Sequence, residues 1–360
     1  MEKRKETENY LETLKLEVDK VIGKYLPKKV SDSWLRFVFG EPEYKYSKEA
    51  AQNFLLEPIL EMLSRGGKRW RAIFFLLLVE ALGGDRKKLQ DFLLIPELCH
   101  QGSLCVDDIE DDGELRRGKP CLHRIYGVDV ALNVGNFLYF FPLLTLIKKR
   151  EKFEEKVVVD LFQVCIQEMI NIHLGQGTDI FWHKGQAAEI EEKEYFQMCV
   201  LKTGCIPRLL GKMAVILCKN DKELAEVVGR AMAKIGVAFQ IQDDILDIVL
   251  EGKEREKFGK SFGNDIKEGK RTLMVIYTLK KAQKKDKKRL LEILNKHTQD
   301  VKEINEAISI MKKYKAIAYA QKKAREIIDE AWLELDQAIS DSKAKHLLKE
   351  MVYFLIERKL

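Results

Sequence analysis

The chain has 360 residues, a length that suits one large domain or two of medium size. Hydrophobic residues make up 46% and charged residues 33%, with 22 Gly and 7 Pro, which excludes collagen-like, linker-like and disordered classes. A formal net charge of +6 is too small for this length to indicate nucleic-acid binding, so we expect none.

The sequence carries no clear membrane or secretion signal. Its longest apolar runs, residues 72–79 and 137–147, are shorter than the roughly 20 residues of a membrane span. The first residues are charged where a signal peptide is apolar, and the last four contain no cysteine for a lipid. We therefore expect a cytoplasmic protein without a transmembrane segment. The seven cysteines form no CxxC pair, which predicts reduced core residues rather than disulfides or a zinc site.

Helical periodicity dominates the chain from end to end. Apolar residues recur at spacings of three and four, no segment alternates with period two, and no proline follows Pro207. No linker rich in Pro, Gly and Ser divides the chain. We predict an all-α protein with one domain over residues 1–360 and about ten or more helices. Breaks between helices are predicted at residues 40–44, 82–85, 113–120, 182–186, 219–221, 251–271 and 284–288.

Basic residues appear first in the segment GGKRWR, residues 66–71. Lys68 and Arg71 are three residues apart, which would place them on one face of a helix. Further basic groups follow at Arg116 and Arg117, at Lys202 beside Thr203, and at Lys260 and Lys270. Guanidinium and ammonium groups suit the oxygens of a diphosphate.

The first acidic cluster lies in CHQGSLCVDDIEDDGELRRGKP, residues 99–120. At 100° per residue, one helix face carries His100, Ser103, Asp107 and Asp111. Asp108 lies beside this face. Gly113 is predicted to end the helix.

The second acidic cluster lies in VAFQIQDDILDIV, residues 237–249. Asp243, Asp244 and Asp247 fall within five residues, and Gln240 lies one turn earlier. Carboxylates this close repel one another on a helix, so a compensating cation is expected. Oxygen-only ligands favour Mg²⁺ or Mn²⁺ over zinc, and magnesium usually binds substrate phosphates as well. Two such helices facing one cavity would form a metal site of the helix-bundle type.

Six segments in this order resemble one family. They are GGKRWR, HQGSLCVDDIEDDGELRRGKP, LGQGTDIFW, LKTG, FQIQDDILD and GKSFGNDIKEGKRT. The chain resembles the trans-isoprenyl diphosphate synthases, or polyprenyl synthetases, over about residues 56–272, while residues 1–50 and 275–360 fit only as flanking helices. DDIEDDGELRRGKP followed by HRIYG, together with LGQGTDIFWH, is most similar to geranylgeranyl diphosphate synthases of the eukaryotic type.

The resemblance implies a helical bundle of the isoprenoid synthase type around a central apolar cavity. It implies a homodimer that condenses isopentenyl diphosphate with an allylic diphosphate (dimethylallyl, geranyl or farnesyl), with three Mg²⁺ ions in each active site.

The resemblance also implies site roles. Asp107, Asp111 and Asp243 would bind magnesium, supported by Asp108, Asp244 and Asp247. Lys202 and Lys260 would stabilise the departing diphosphate. The allylic substrate would contact Arg116, Lys202, Thr203, Gln240, Lys260 and Lys270. Isopentenyl diphosphate would contact Lys68, Arg71, His100 and Arg117.

Product length depends on what blocks the apolar tunnel. Gly102 and Ser103 lie four to five residues before Asp107 and are too small to block a growing chain. By resemblance, a deeper floor is formed by Tyr139, Phe140 and His173, which are otherwise ordinary core residues. We predict a mainly C20 product, geranylgeranyl diphosphate.

Other functions remain open at this point. A polyprenyl or farnesyl diphosphate synthase would differ only in product length. A terpene cyclase would leave the second set of basic residues unexplained, because it needs one diphosphate site. A non-catalytic subunit would be expected to have an eroded DDxxD motif, and both motifs are intact here.

Overall fold

The structure, a computed structural model, describes residues 2–187, 189–250 and 262–357, with side chains from residue 9 onward. Two compact units make up the chain. Unit 1 comprises Met1–Gln163, Met213–Asn220 and Ser342–Leu347; unit 2 comprises Val164–Lys212, Asp221–Asp341 and Leu348–Leu360. The prediction of a single domain over residues 1–360 is not tested by this division and stays a prediction.

Helices account for most of the described residues, so the all-α prediction is confirmed. In the first half of the chain they are α1 (Glu2–Tyr25), α2 (Asp32–Phe39), α3 (Lys48–Ala51), α4 (Glu57–Ser64), α5 (Trp70–Ala81), α6 (Arg86–Leu89), α7 (Leu94–Glu110), α8 (Leu122–Tyr126), α9 (Val128–Phe140) and α10 (Leu144–Lys149). A π-helical turn at Gln52–Leu56 and 3₁₀ turns at Gln90–Leu93, Phe141–Leu143 and Arg150–Lys152 join some of them.

The second half is also helical where it is described. Its helices are α11 (Glu155–His183), α12 (Glu192–Lys202), α13 (Cys205–Lys219), α14 (Lys222–Val249), α15 (Asn264–Lys267), α16 (Leu273–Lys281), α17 (Lys284–Asn295), α18 (Val301–Lys313), α19 (Ala316–Ala338) and α20 (Lys343–Glu357).

Most predicted breaks separate helices, with two differences. Residues 113–120 form a small antiparallel hairpin, β1 (Leu115–Arg116) and β2 (Lys119–Pro120). Its two-residue turn has positive φ at both Arg117 and Gly118, as a type I′ turn requires. The predicted break at 284–288 is wrong, because these residues begin α17. Most of the break at 251–271 lies outside the described residues.

Helix α7 ends at Glu110, three residues before the predicted end at Gly113. Asp112 takes the left-handed conformation with φ of 50°. The amide of Asp112 donates to the carbonyl of Ile109 and the amide of Gly113 to that of Asp108, which is a Schellman ending. Asp111 is therefore the C-cap of α7 rather than a residue of its helical face.

Helices α7 and α9 approach closely through two glycines. A Cβ atom at Gly102 would lie 2.8 Å from the carbonyl oxygen of Gly135, and one at Gly135 would lie 2.7 Å from Val106. A side chain at either position would force the two helices apart. The small size of Gly102, predicted to keep a tunnel open, thus serves the packing of α7 on α9.

Two stretches are long and apolar enough to cross a bilayer, Val128–Lys152 and Glu155–His183. The most apolar window is 56% buried in the first and 33% buried in the second. Length and composition alone do not identify a span, because core helices of water-soluble proteins share both. The expected absence of a transmembrane segment stays a prediction.

Candidate active site

Both aspartate-rich motifs lie at the C-terminal ends of long helices. Asp107 and Asp108 are in the last turn of α7, and Asp243 to Asp247 are in the last two turns of α14. The negative end of the helix dipole disfavours carboxylates there, and neither helix has a basic residue in its last turn. Neither helix therefore supplies, in its last turn, a cation for its own carboxylates.

In unit 1, Arg116 supplies one such cation. Its Nε donates to Asp108 at 2.9 Å, and its Nη2 contacts the same carboxylate and lies 3.6 Å from Asp107. Asp108 is buried, and its carboxylate forms an ion pair with Arg116. This geometry agrees with a supporting role for Asp108 and leaves Asp107 and Asp111 as the candidate magnesium ligands of this helix.

Three guanidinium groups surround His100 on α7. Burial, followed by the charges of Arg71, Arg117 and Arg116, lowers the pKa of this imidazole well below its ordinary value. Burial and the nearby charges of Arg69 and Arg116 likewise lower the pKa of Arg117. Positive charges gathered in this way around His100 and Arg117 suit a polyanion.

The segment before α5 differs from its prediction. Lys68 lies in an irregular loop, because α5 begins only at Trp70, so Lys68 and Arg71 do not share a helix face. The guanidinium of Arg71 is buried and lies 4.2 Å from the ring of Trp70. Lys68 is placed by this loop and Arg71 by the first turn of α5, so periodicity alone could not predict their arrangement.

In unit 2, two of the three carboxylates on α14 are held by neutral groups. Asp244 accepts hydrogen bonds from the hydroxyl of Tyr195 at 3.1 Å and from the amide of Gln240 at 2.7 Å. Burial and the charge of Asp265 raise the pKa of Asp244. Asp247, fully buried, accepts from the backbone amides of Asn264 at 3.3 Å and Asp265 at 3.1 Å. Of the three, Asp243 is the candidate metal ligand.

Two predicted contacts of the allylic substrate, Thr203 and Gln240, belong to a chain of hydrogen bonds in unit 2. The hydroxyl of Thr203 donates to the side-chain oxygen of Gln240 at 2.7 Å, and Gln240 in turn donates to Asp244. Lys202 lies 2.6 Å from Asp179, and Lys270 lies 2.5 Å from Glu268. Lys260 lies outside the described residues.

Three residues with structural partners near the site are not predicted from the sequence. Asp179 lies in the motif LGQGTDIFW and orients Lys202, a role that the motif alone does not indicate. Arg69 lies in the motif GGKRWR, but its role depends on Glu97, 28 residues away along the chain. Tyr195 lies in no such motif, and its partner Asp244 is 49 residues away. A buried charge within a motif, as at Asp179 and Arg69, is the signal that could have indicated such a role.

The predicted floor of the tunnel is only partly enclosed in the single chain. Tyr139 packs beside Gly102, where a Cβ atom would be 3.3 Å from its ring. Phe140 exposes 71% of its surface, and His173 is also exposed. These two residues cannot close a cavity without a cover from elsewhere, so their role in product length stays a prediction.

The side chains present fit a hard divalent cation. All candidate ligands are carboxylates at the ends of helices whose last turns contain no basic residue, and carboxylate oxygen is the donor type that magnesium prefers. Among the described residues no three His, Cys, Asp or Glu side chains form a ready metal cage. Magnesium does not require one, because it is commonly held by one or two carboxylates together with water and substrate phosphates.

Comparison with known proteins identifies the family. Residues 52–311 match the family model of the polyprenyl synthetases. A short chain isoprenyl diphosphate synthase of Methanothermobacter thermautotrophicus is 34% identical over 84% of this chain and 90% of that protein. A geranylgeranyl pyrophosphate synthase of Dictyostelium discoideum is 31% identical over 78% of this chain and 87% of that protein.

A solved structure gives the same result. Geranylgeranyl pyrophosphate synthetase from Pyrococcus horikoshii superposes with a TM-score of 0.83 and 29% identity, covering 99% of this chain and 100% of that one. The all-α fold of the isoprenoid synthase type is thereby confirmed. The chain belongs to the polyprenyl synthetase family and is a prenyltransferase.

Proposed function

We propose that this protein condenses isopentenyl diphosphate with an allylic diphosphate and releases diphosphate, giving mainly geranylgeranyl diphosphate. The observation that carries the proposal is that unit 1 holds an aspartate-rich helix end and a cluster of basic groups at α7, and that unit 2 holds a second aspartate-rich helix end. Aspartate-rich ends suit a metal-bound diphosphate, and the basic cluster suits a diphosphate bound by side chains alone. Relatives named as geranylgeranyl diphosphate synthases support the C20 product.

The condensation needs no protein nucleophile. The C1–O bond of the allylic substrate breaks, and diphosphate leaves with the electron pair. The double bond of isopentenyl diphosphate attacks the allylic cation, and a proton then leaves the new chain to the released diphosphate. Lys202, oriented by Asp179, stabilises the charge that develops on the leaving group.

The metal requirement follows from the same groups. Members of this family are in general magnesium-dependent. Asp107, Asp111 and Asp243 would hold the ions, three in each site, and Mn²⁺ could replace Mg²⁺. When bound, the ions supply electrostatic stabilisation of the leaving diphosphate. The protein's own task is to orient both substrates and to exclude water from the cation.

The substrate with basic contacts only would be isopentenyl diphosphate. Lys68, Arg71, His100 and Arg117 would bind it. Arg71, His100 and Arg117 belong to the guanidinium cluster of unit 1, and Lys68 lies in the loop that precedes α5. His100, with its lowered pKa, would be a neutral hydrogen-bond donor there rather than a cation.

The deciding experiment incubates the purified chain with isopentenyl diphosphate, magnesium and each allylic primer in turn. A C20 product is expected. A C15 product, or a product longer than C20, would correct the chain length alone. Product from a primer without isopentenyl diphosphate would indicate a cyclase, and no product at all would indicate a non-catalytic subunit. The Asp243→Ala variant serves as the inactive control.

Variants of the predicted floor test the C20 assignment. Tyr139→Ala and His173→Ala should lengthen the product, and Ser103→Phe should shorten it toward C15. Phe137→Ala is the matched control on the same helix, because Phe137 stacks on Phe141 instead. Unchanged products from Tyr139→Ala and His173→Ala would rule out this floor.

We also propose a homodimer, which the exposed face of α11 supports. Within unit 2 this face carries Ile166, Ile170, Leu174 and Phe181, at spacings of four, four and seven residues and 46–64% exposed. A second copy would bury this stripe and could cover His173 on the same helix. Ile170→Glu should shift the molar mass toward a monomer in light scattering. Val301→Glu, at an isolated exposed valine, should leave it unchanged.

A further inference from the structure

Arg69 has an unusual backbone for an arginine. It precedes α5 as its N-cap, with φ of 49° and ψ of 25°, in the left-handed region that favours glycine. A side chain with a Cβ atom adopts this conformation only at an energetic cost, so the surroundings must hold it there.

The side chain of Arg69 provides that hold by joining three helices of unit 1. Its Nε donates to Asp19 on α1 at 3.0 Å, its Nη1 to Glu97 on α7 at 3.1 Å, and its Nη2 to the carbonyl oxygen of Leu63 on α4 at 3.0 Å. Arg69 and Glu97 are both buried, and Gln101 also donates to Glu97 at 3.0 Å. A lysine could not reproduce this planar fork.

These contacts connect two parts of the proposed isopentenyl diphosphate site. Lys68 directly precedes Arg69, and Arg71 follows two residues later. Glu97 lies on α7, three residues before His100. Arg69 therefore connects the loop with Lys68 and the first turn of α5 with Arg71 to the helix that carries His100.

A second arginine, Arg117, also contacts the loop. Its Nη1 donates to the carbonyl oxygen of Gly66 at 2.5 Å. Gly67 has φ of 126°, and a Cβ atom there would lie 3.2 Å from the Arg117 guanidinium. Two arginines thus confine the loop, and Arg69 is itself held by two carboxylates.

We propose that Arg69 is a positioning residue for isopentenyl diphosphate, setting the direction of the loop so that Lys68 and Arg71 meet the same diphosphate. The charge of Arg69 is balanced by Asp19 and Glu97, so it acts through the loop and not on the substrate. This inference rests on the proposed function. It assigns the orientation of Lys68 and Arg71 to Arg69, a residue that is not among the predicted contacts of isopentenyl diphosphate.

The test measures binding of isopentenyl diphosphate without chemistry. Because no condensation occurs without an allylic primer, titration calorimetry with isopentenyl diphosphate alone reports its affinity. Arg69→Met should weaken this binding about tenfold or more, since small misplacements of binding groups cost factors of this size. The KM of the allylic primer should change less than twofold. Arg69→Lys should fall between wild type and Arg69→Met.

A double variant guards against misfolding. Arg69→Met alone leaves Glu97 buried without its guanidinium partner, which is destabilising in its own right. Arg69→Met with Glu97→Met removes both charges and should retain the fold while keeping the selective loss of isopentenyl diphosphate binding.

Arg86 provides the matched control in the same unit. It too joins α1 to α5, contacting Glu17 at 3.2 Å and Glu80 at 2.5 Å, but it lies outside the loop. Arg86→Met should lower the melting temperature and leave isopentenyl diphosphate binding unchanged.

The outcomes separate this inference from the proposed function. If Lys68→Ala weakens isopentenyl diphosphate selectively but the Arg69 variants behave like Arg86→Met, the positioning role is wrong and the proposed function stands. Equal losses for both substrates in the Arg69 variants would also overturn it. If Lys68→Ala has no selective effect, the assignment of the substrate site itself fails.

Discussion

The aspartate-rich ends of α7 and α14 have the same sequence pattern but are held by different kinds of groups. At α7 the supporting carboxylate, Asp108, pairs with the guanidinium of Arg116. At α14 the supporting carboxylates, Asp244 and Asp247, accept hydrogen bonds from neutral donors: a phenol, an amide and two backbone N–H groups.

This difference sets the electrostatics of the two regions. Guanidinium groups gather around α7 and, with burial, lower the pKa of His100. At α14, burial and a neighbouring carboxylate raise the pKa of Asp244. A repeated motif therefore does not imply a repeated environment. The α7 region favours anions, whereas the α14 region gathers buried carboxylates, with the charge of Lys270 acting on Asp244.

The largest expected effect is the loss of a candidate metal ligand at either helix end. Asp107→Ala and Asp243→Ala should each lower kcat by at least about 100-fold, the scale for losing one preorganised charge-stabilising group. Steady-state kinetics at saturating magnesium measures this, with circular dichroism to confirm the fold. Asp112→Asn, whose carboxylate pairs with Arg124, is the control. Near-normal turnover of either alanine variant would contradict the metal assignment.

The second effect distinguishes the supporting carboxylates by stability. Asp247→Ala should lower the free energy of unfolding by about 1–3 kcal/mol, because two backbone amides lose a buried acceptor. Asp108→Ala should cost less, since the side chain of Arg116 is 19% exposed and can recover hydration. Urea unfolding of both variants gives the comparison. A larger loss of unfolding free energy in Asp108→Ala than in Asp247→Ala would contradict this prediction.

A smaller effect is expected at Tyr195. Tyr195→Phe removes a single hydrogen bond to Asp244 and should lower the free energy of unfolding by about 0.5–1.5 kcal/mol. The allylic substrate should lose affinity more than isopentenyl diphosphate, because Asp244 connects through Gln240 to Thr203. Unfolding and KM measurements test both statements. An unchanged stability would show that this hydrogen bond is not needed to hold Asp244.

The smallest effect is a pH dependence at His100. Its pKa in the folded protein is below the unfolded value near 6.5, so only the unfolded state gains a proton as the pH falls through that value. The stability due to the neutral imidazole is therefore present above pH 6.5 and is lost toward acid. His100→Gln should remove this slope, and His346→Gln, at an exposed histidine, should not.

The same histidine also reports on the anion site. Inorganic diphosphate should raise the pKa of His100, because it neutralises the surrounding guanidinium groups. An NMR titration, with the signal assigned through His100→Gln, measures this shift. A pKa that does not respond to diphosphate would argue against an anion site at α7.

Local pattern was sufficient for much of this protein. The periodicity of three and four predicted the all-α fold, and two DDxxD motifs with their order among six segments indicated the family. These features are readable because helix faces and short motifs depend on residues a few positions apart. The aspartates named as metal ligands come from the same local information, and their roles stay predictions.

Tertiary structure decided what each of these side chains contacts. Tyr195 and Asp244 are 49 residues apart, Arg69 and Glu97 are 28 apart, and Lys202 and Asp179 are 23 apart. The early end of α7, the loop conformation of Lys68 and the packing role of Gly102 likewise depend on backbone geometry and neighbouring helices. Periodicity cannot predict such contacts, because hydrogen bonds and close packing between distant segments form only when the whole chain is folded.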